Sequence, residues 1–196
     1  ALAAVADLAE SQESDEVLGR STLVPTMVDV LPQTRNVIPD KVIIAVDWRI
    51  LPGDDDTSLI SRVRAALQAR IPDVPAGLTW DVRMANEYQL TYTGLEADRN
   101  LFTPGFLMDP AHPVVVAAAD AVGRRGETGA ATVRPWQFAT DGGWSCGVHG
   151  IPTIGFAPGE ELYAHTNRER LEVEEARWGF ERYPHLIGAV QSALVG

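Results

Sequence analysis

The sequence predicts an α+β sandwich joined through an irregular crossing to a smaller α/β segment. Three observations carry this. Two runs rich in β-branched residues, Thr22 to Leu31 and Lys41 to Ile50, flank the turn-prone Asn36-Val-Ile-Pro-Asp40. A helical apolar repeat follows, with Leu59, Ile60, Val63, Leu67 and Ile71 on one face. From Thr93 to Pro113 neither period holds, and Gly94, Pro104, Gly105 and Pro110 punctuate the chain.

Each element has its own signal. Leu2, Val5 and Leu8 sit at helical spacing among alanines and lead into the polar run Glu10 to Glu16, so a helix opens the chain and a loop follows. The two β-rich runs read as antiparallel neighbours. Asp54 to Asp56 place negative charge at a helix amino-terminus, and Pro72 stops that helix. Leu78 to Tyr92 alternates, with Trp80, Val82 and Met84 on one side, and predicts a third strand. Strand, strand, helix, strand after an opening helix makes a sandwich lacking only its first strand. In the later part, 114–125 reads as a helix with Pro113 at its first turn, 133–140 as a strand and 151–156 as a short buried strand. The last helix starts near Val173, and Pro184 inside it predicts a kink or break. The resulting division is 1–93, a crossing over 94–112, and 113–196.

Composition excludes several classes of function. A formal net charge of −11, with no cluster of Lys and Arg, opposes binding to a phosphate backbone, so no nucleic acid is expected. No apolar run reaches the ~20 residues of a membrane span and no signal segment opens the chain, which together predict a cytoplasmic protein without a membrane partner. The single cysteine, Cys146, leaves no internal disulfide and no multi-cysteine metal site. Four histidines remain, at 112, 149, 165 and 185.

His165 stands out among them. It follows Gly150-Ile-Pro-Thr-Ile-Gly-Phe-Ala-Pro-Gly159 and lies in Ala164-His-Thr-Asn-Arg-Glu169, a loop beyond a predicted strand where a neutral imidazole can be aimed into a cleft. Asn36-Val-Ile-Pro39 and Asp47-Trp-Arg49 are further short motifs, and a two-residue step along a strand puts Asp47 and Arg49 on one face. Phe138-Ala-Thr-Asp-Gly-Gly143 permits two readings. Its glycines would let a ligand approach the backbone, and Asp141 would serve as a helix N-cap. Gly143-Trp-Ser-Cys-Gly147 matches the nucleophile elbow of serine hydrolases, a pattern that requires Ser145 on a sharp turn directly after a strand. Cys146 with His149 reads as a small packed residue beside a helix-end histidine, and His112 and His185 as structural or exposed.

The His165 segment, together with the Asn36 and Arg49 motifs, resembles the carboxy-terminal portion of the M20 metallopeptidase and amidohydrolase family of zinc aminoacylases, deacetylases and carboxypeptidases. The resemblance covers nearly all of this chain but only the later half of the family pattern. Ala157-Pro-Gly159 stands where Gly-Pro-Gly is usual, and the order in Thr166-Asn-Arg-Glu169 is slightly altered. The resemblance implies a ferredoxin-like lid and dimerisation domain, its first strand missing, joined to the carboxy-terminal part of an α/β zinc-peptidase catalytic domain. It implies that His165 is the last protein ligand of a two-zinc centre, with cobalt or manganese as alternative metals. Asn36 would polarise the substrate carbonyl and Arg49 would grip the substrate carboxylate, whereas Thr140, Asp141 and Gly142 would line the pocket. The implied reaction is metal-dependent hydrolysis of an amide or peptide bond in a small or dipeptide-like, carboxylate-bearing substrate, by a homodimer formed through the lid sheet. The other histidine, the carboxylate ligands and the glutamate base of the family match no segment here. The resemblance therefore makes this chain a fragment or one half of a split enzyme, inactive alone. Two other readings stay open: a serine hydrolase using Ser145, and a non-catalytic dimerisation or scaffold protein.

Overall fold

The computed structural model describes residues 1–195. The chain forms two compact units, Ala1–Gly105 and Phe106–Gly196.

In the first unit, α1 (Leu2–Glu10) precedes a two-residue hairpin of β1 (Ser14–Asp15) and β2 (Gly19–Arg20). Asp15 builds that hairpin, because its carboxylate accepts from the backbone N–H groups of Val17 (2.7 Å) and Leu18 (2.8 Å). β3 (Thr22–Leu31) then pairs antiparallel with β4 (Lys41–Arg49), in a register that sets Leu23 opposite Trp48 and Val30 opposite Val42 and shifts between Pro25 and Met27. The proline there has no N–H for the ladder, which accounts for an irregularity at that point. α2 (Asp56–Arg70) opens on a capping box: Asp55 accepts from the Ser58 N–H at 2.6 Å, and the Asp55 N–H donates to Ser58 Oγ at 3.1 Å. α1 packs on α2 and β3, and Ala4, Val5, Leu23, Leu59 and Leu67 are buried.

The third expected strand differs from the structure. Trp80, Val82 and Met84 are half-buried and alternate with exposed neighbours, as the pattern requires, but this stretch joins no ladder. It is tied instead to α2, whose Arg64 donates to the Val82 carbonyl (3.1 Å) and pairs with Asp81 (3.6 Å). The strand falls later, as β5 (Asn86–Leu90) in an isolated antiparallel hairpin with β6 (Glu96–Asn100). Residues 96–100, expected to be irregular, are therefore strand, and the first unit contains three two-stranded sheets rather than one continuous sandwich sheet.

In the second unit, α3 (Pro113–Val122) and α4 (Val173–Val195) pack against each other. His112 caps α3 by accepting from the Val114 N–H (3.2 Å), and Pro113 occupies the first turn. Ala118, Val122 and Leu186 form the core, with Ala131, Ile154, Phe156, Trp178 and Val190 against it. α4 runs unbroken through Pro184, contrary to the expected break. Neither 133–140 nor 151–156 forms a strand. A strand must satisfy its backbone on a neighbour, and neither segment finds one among the described residues. Ile154 and Phe156 still reach the core, and Tyr183 fixes the segment by donating to the Phe156 carbonyl at 2.7 Å.

Candidate functional site

The predicted site residues divide between the units: Asn36 and Arg49 in the first, Thr140, Asp141, Gly142 and His165 in the second. Asn36 is exposed in the loop joining β3 and β4. It does not use the positive φ that asparagine tolerates, because His165 is the non-glycine residue with positive φ. Arg49 ends β4, and its Nε lies 3.1 Å from Asp47 Oδ1. Both side chains are about half exposed (57% and 49%), so the pair contributes little stability. Its effect is orientation. With Nε engaged, the two terminal nitrogens have no second ion pair among the described residues, and their planar N–H groups keep the fork geometry that matches a carboxylate.

His165 has φ +62°. That conformation is uncommon for a residue with a Cβ and collects at functional sites. Local bonds hold it. The His165 N–H donates to Glu169 Oε2 (3.0 Å), Thr166 Oγ1 donates to the Tyr163 carbonyl (2.7 Å), and the Glu169 N–H donates to the Thr166 carbonyl (3.1 Å). The exposed imidazole lies against Phe138, with ring centroids 4.7 Å apart, and Phe138 in turn lies against Trp136 at 5.6 Å. Arg168 and Arg170 both sit over the Tyr163 ring, at 5.6 and 4.2 Å. Sequence reasoning missed Phe138 as a neighbour of His165. No local spacing reports that contact, because 26 intervening positions separate the two rings in sequence.

Thr140, rather than Asp141, makes the turn that follows. Its Oγ1 accepts from the Gly142 N–H (3.2 Å), and the Asp141 side chain provides no cap to the π-helical turn Gly143–Val148. Gly142 is buried, but the space a side chain would fill is taken by the Phe106 ring, whose Cζ would stand 2.6 Å from an added Cβ. That face of the glycine is packed rather than open to a ligand. The nucleophile-elbow reading fails on context. No strand leads directly into Ser145, which lies within the π-helical turn, and its hydroxyl is shared with Thr153 Oγ1 (2.7 Å) and the Asp141 carbonyl (3.3 Å) instead of an imidazole. Cys146 is half-buried with its Sγ 3.4 Å from Met108 Sδ, and His149 ends the turn through its backbone N–H.

Among the described residues, no three His, Cys, Asp or Glu side chains converge on a point that could hold a metal ion. The donors of this chain do not fit a complete zinc centre, which needs three or more protein ligands. Also among the described residues, no helix is long and apolar enough to cross a membrane.

No solved structure matches the chain. It is 30% identical over 165 residues to the uncharacterized protein YgeY of Escherichia coli (strain K12), an alignment that covers 84% of this chain and 39% of YgeY. YgeY of Escherichia coli O157:H7 matches to the same extent. The chain thus spans about two fifths of the length of these relatives. Residues 1–75, which hold α1, the β3–β4 pair and α2, match the family model described as the peptidase dimerisation domain of the M20 type. Residues 1–75 therefore carry a peptidase dimerisation domain of the M20 type.

Proposed function

We propose that this chain is part of a metal-dependent M20 hydrolase that cleaves an amide or peptide bond in a small, carboxylate-bearing substrate. Asn36 and Arg49 contact the substrate, with Arg49 receiving its carboxylate. Residues 140–142, backed by Phe106, line the pocket. His165 supplies one ligand to a zinc centre whose other ligands, and whose general base, lie outside this chain. Alone, the chain turns over no amide. The β3–β4 pair, which exposes Val24, Met27, Val28, Val42 and Ile43 at 40–55%, is covered by a second copy.

The observation that carries this reading is the backbone of His165. A left-handed histidine, held by Glu169 and facing solvent, keeps a conformation that costs energy and places no group in the core. The test uses the chain completed to the length of its relatives. His165→Ala should remove about one zinc per subunit, as measured by elemental analysis, because one ligand in a three- or four-ligand site is lost. Unchanged zinc content would make His165 an ordinary loop residue.

A further inference from the structure

Behind Arg49 lies a polar node in the interior of the first unit. Gln12 and Ser21 are 7% and 5% exposed. Gln12 Oε1 accepts from Trp48 Nε1 (2.8 Å) and Arg62 Nη2 (3.1 Å), whereas its Nε2 donates to the Leu8 carbonyl (2.6 Å). Two N–H donors on one side and a carbonyl on the other fix which way the amide faces. Ser21 Oγ accepts from Trp48 Nε1 at 3.1 Å and has one proton to give. Its nearer acceptor is the Arg49 carbonyl at 2.6 Å, with Gln12 Oε1 farther at 3.1 Å. Arg62 closes the node by stacking over Trp48 (4.6 Å) and pairing with Asp54 (3.1 Å).

The node grips one face of β4 at its end, while Asp47 and Arg49 project from the other. Trp48 and the Arg49 carbonyl are thereby held from behind, and Asp47 holds the Arg49 Nε from in front. We infer that Gln12 is a positioning residue for carboxylate recognition: its carbonyl oxygen fixes Trp48, and with Ser21 it fixes the backbone from which the free guanidinium edge of Arg49 projects. This rests on the reading of Arg49 as the carboxylate-binding group.

The test follows the Arg49 Nε–Hε resonance of the arginine-labelled chain during titration with N-acetyl-L-alanine, with its carboxamide as the neutral control. The acid alone should shift the wild-type resonance. Gln12→Leu, which keeps the size but removes the acceptor, and Trp48→Phe, which removes the donor, should each raise Kd about fivefold, the worth of one net hydrogen bond. Gln12→Glu keeps the acceptor but loses the donor to the Leu8 carbonyl, so it should recover part of the loss and bind more tightly than Gln12→Leu. A folded Gln12→Leu chain with unchanged Kd and unchanged Arg49 order would overturn the inference, and if that variant unfolds, Trp48→Phe decides in the same way. Should Arg49 respond to neither ligand, the carboxylate reading fails; the positioning inference is then judged by the Nε–Hε order parameter, which must fall in Gln12→Leu and recover in Gln12→Glu.

Discussion

Replacing Gly142 by alanine isolates one contact of the predicted pocket wall. The backbone permits it, since φ −57° and ψ −28° are right-handed helical values that any residue adopts. The obstacle is purely steric. The new Cβ would lie 2.6 Å from Phe106 Cζ and 3.1 Å from Thr140 Oγ1. Carbon atoms rest at about 3.5–4.0 Å, so the ring must retreat by roughly 1 Å or the turn must open. Overpacking of this size costs about 1–3 kcal/mol. The amides that report it are those of the π-helical turn, where Ser145 donates to Asp141 (3.0 Å) and Ile151 to Ser145 (2.8 Å). Hydrogen exchange over 143–151 should accelerate about 5- to 150-fold in Gly142→Ala, and Phe106→Leu in the same chain should recover about 1 kcal/mol or more. If Gly142→Ala is neutral, or if Phe106→Leu rescues nothing, the ring does not lie over the glycine and the assignment of Phe106 as backing wall is wrong.

Four further outcomes follow. Arg49→Ala in the completed protein should weaken carboxylate-bearing substrates relative to their carboxamides by about 1.5–3 kcal/mol in kcat/KM, the range for hydrogen bonds to charged groups, and equal losses for both would remove Arg49 from the site. Asp55→Ala should destabilise the first unit by about 1 kcal/mol in urea unfolding, because the α2 cap is lost while the exposed carboxylate leaves no cavity. The backbone N–H groups of Leu18 and Val17 hold the Asp15 pKa below the ordinary aspartate range. The hairpin is thus fully stabilised above the unfolded value of about 3.9 and loosens as pH falls through the lower folded value, so Val17 and Leu18 amide shifts should titrate there in wild type and not in Asp15→Asn. Val42→Glu, which puts a charge on the exposed apolar strand pair, should shift sedimentation toward monomer; an unchanged distribution would mean that a second copy does not cover this surface.

Local signals were strong where the structure is local. The cap and span of α2, the pairing of Thr22–Leu31 with Lys41–Arg49 and the proline start of α3 follow from spacing, turn residues and capping chemistry within a few positions. The sheet as a whole was not legible. Trp80, Val82 and Met84 alternate as a strand does, but alternation reports which side is covered, not what covers it, and α2 with Arg64 takes the place of a neighbouring strand. The same holds for 133–140 and 151–156, whose β-type residues express a preference that needs a partner to become a ladder. Of the proposed site, His165 and Arg49 are singled out by motifs, and the pairing of Asp47 with Arg49 follows from strand alternation. Phe138, Phe106 and Gln12 were not, because each acts through a tertiary contact with a residue distant in sequence.

The open strand pair has a thermodynamic consequence. A two-stranded sheet is marginal without support, and although α1 packs on β3, both β3 and β4 keep an outer edge with no third strand among the described residues. The folding equilibrium of such a pair is governed by mass action: whatever docks on the folded form alone draws molecules toward it in proportion to its own abundance. Past saturation, each tenfold increase in that partner deepens the folded state by about 1.4 kcal/mol, and dilution takes the same amount away. Where that partner is a second copy, as proposed, a melting temperature for this domain is a property of the solution as much as of the chain, and has meaning only when quoted with a protein concentration.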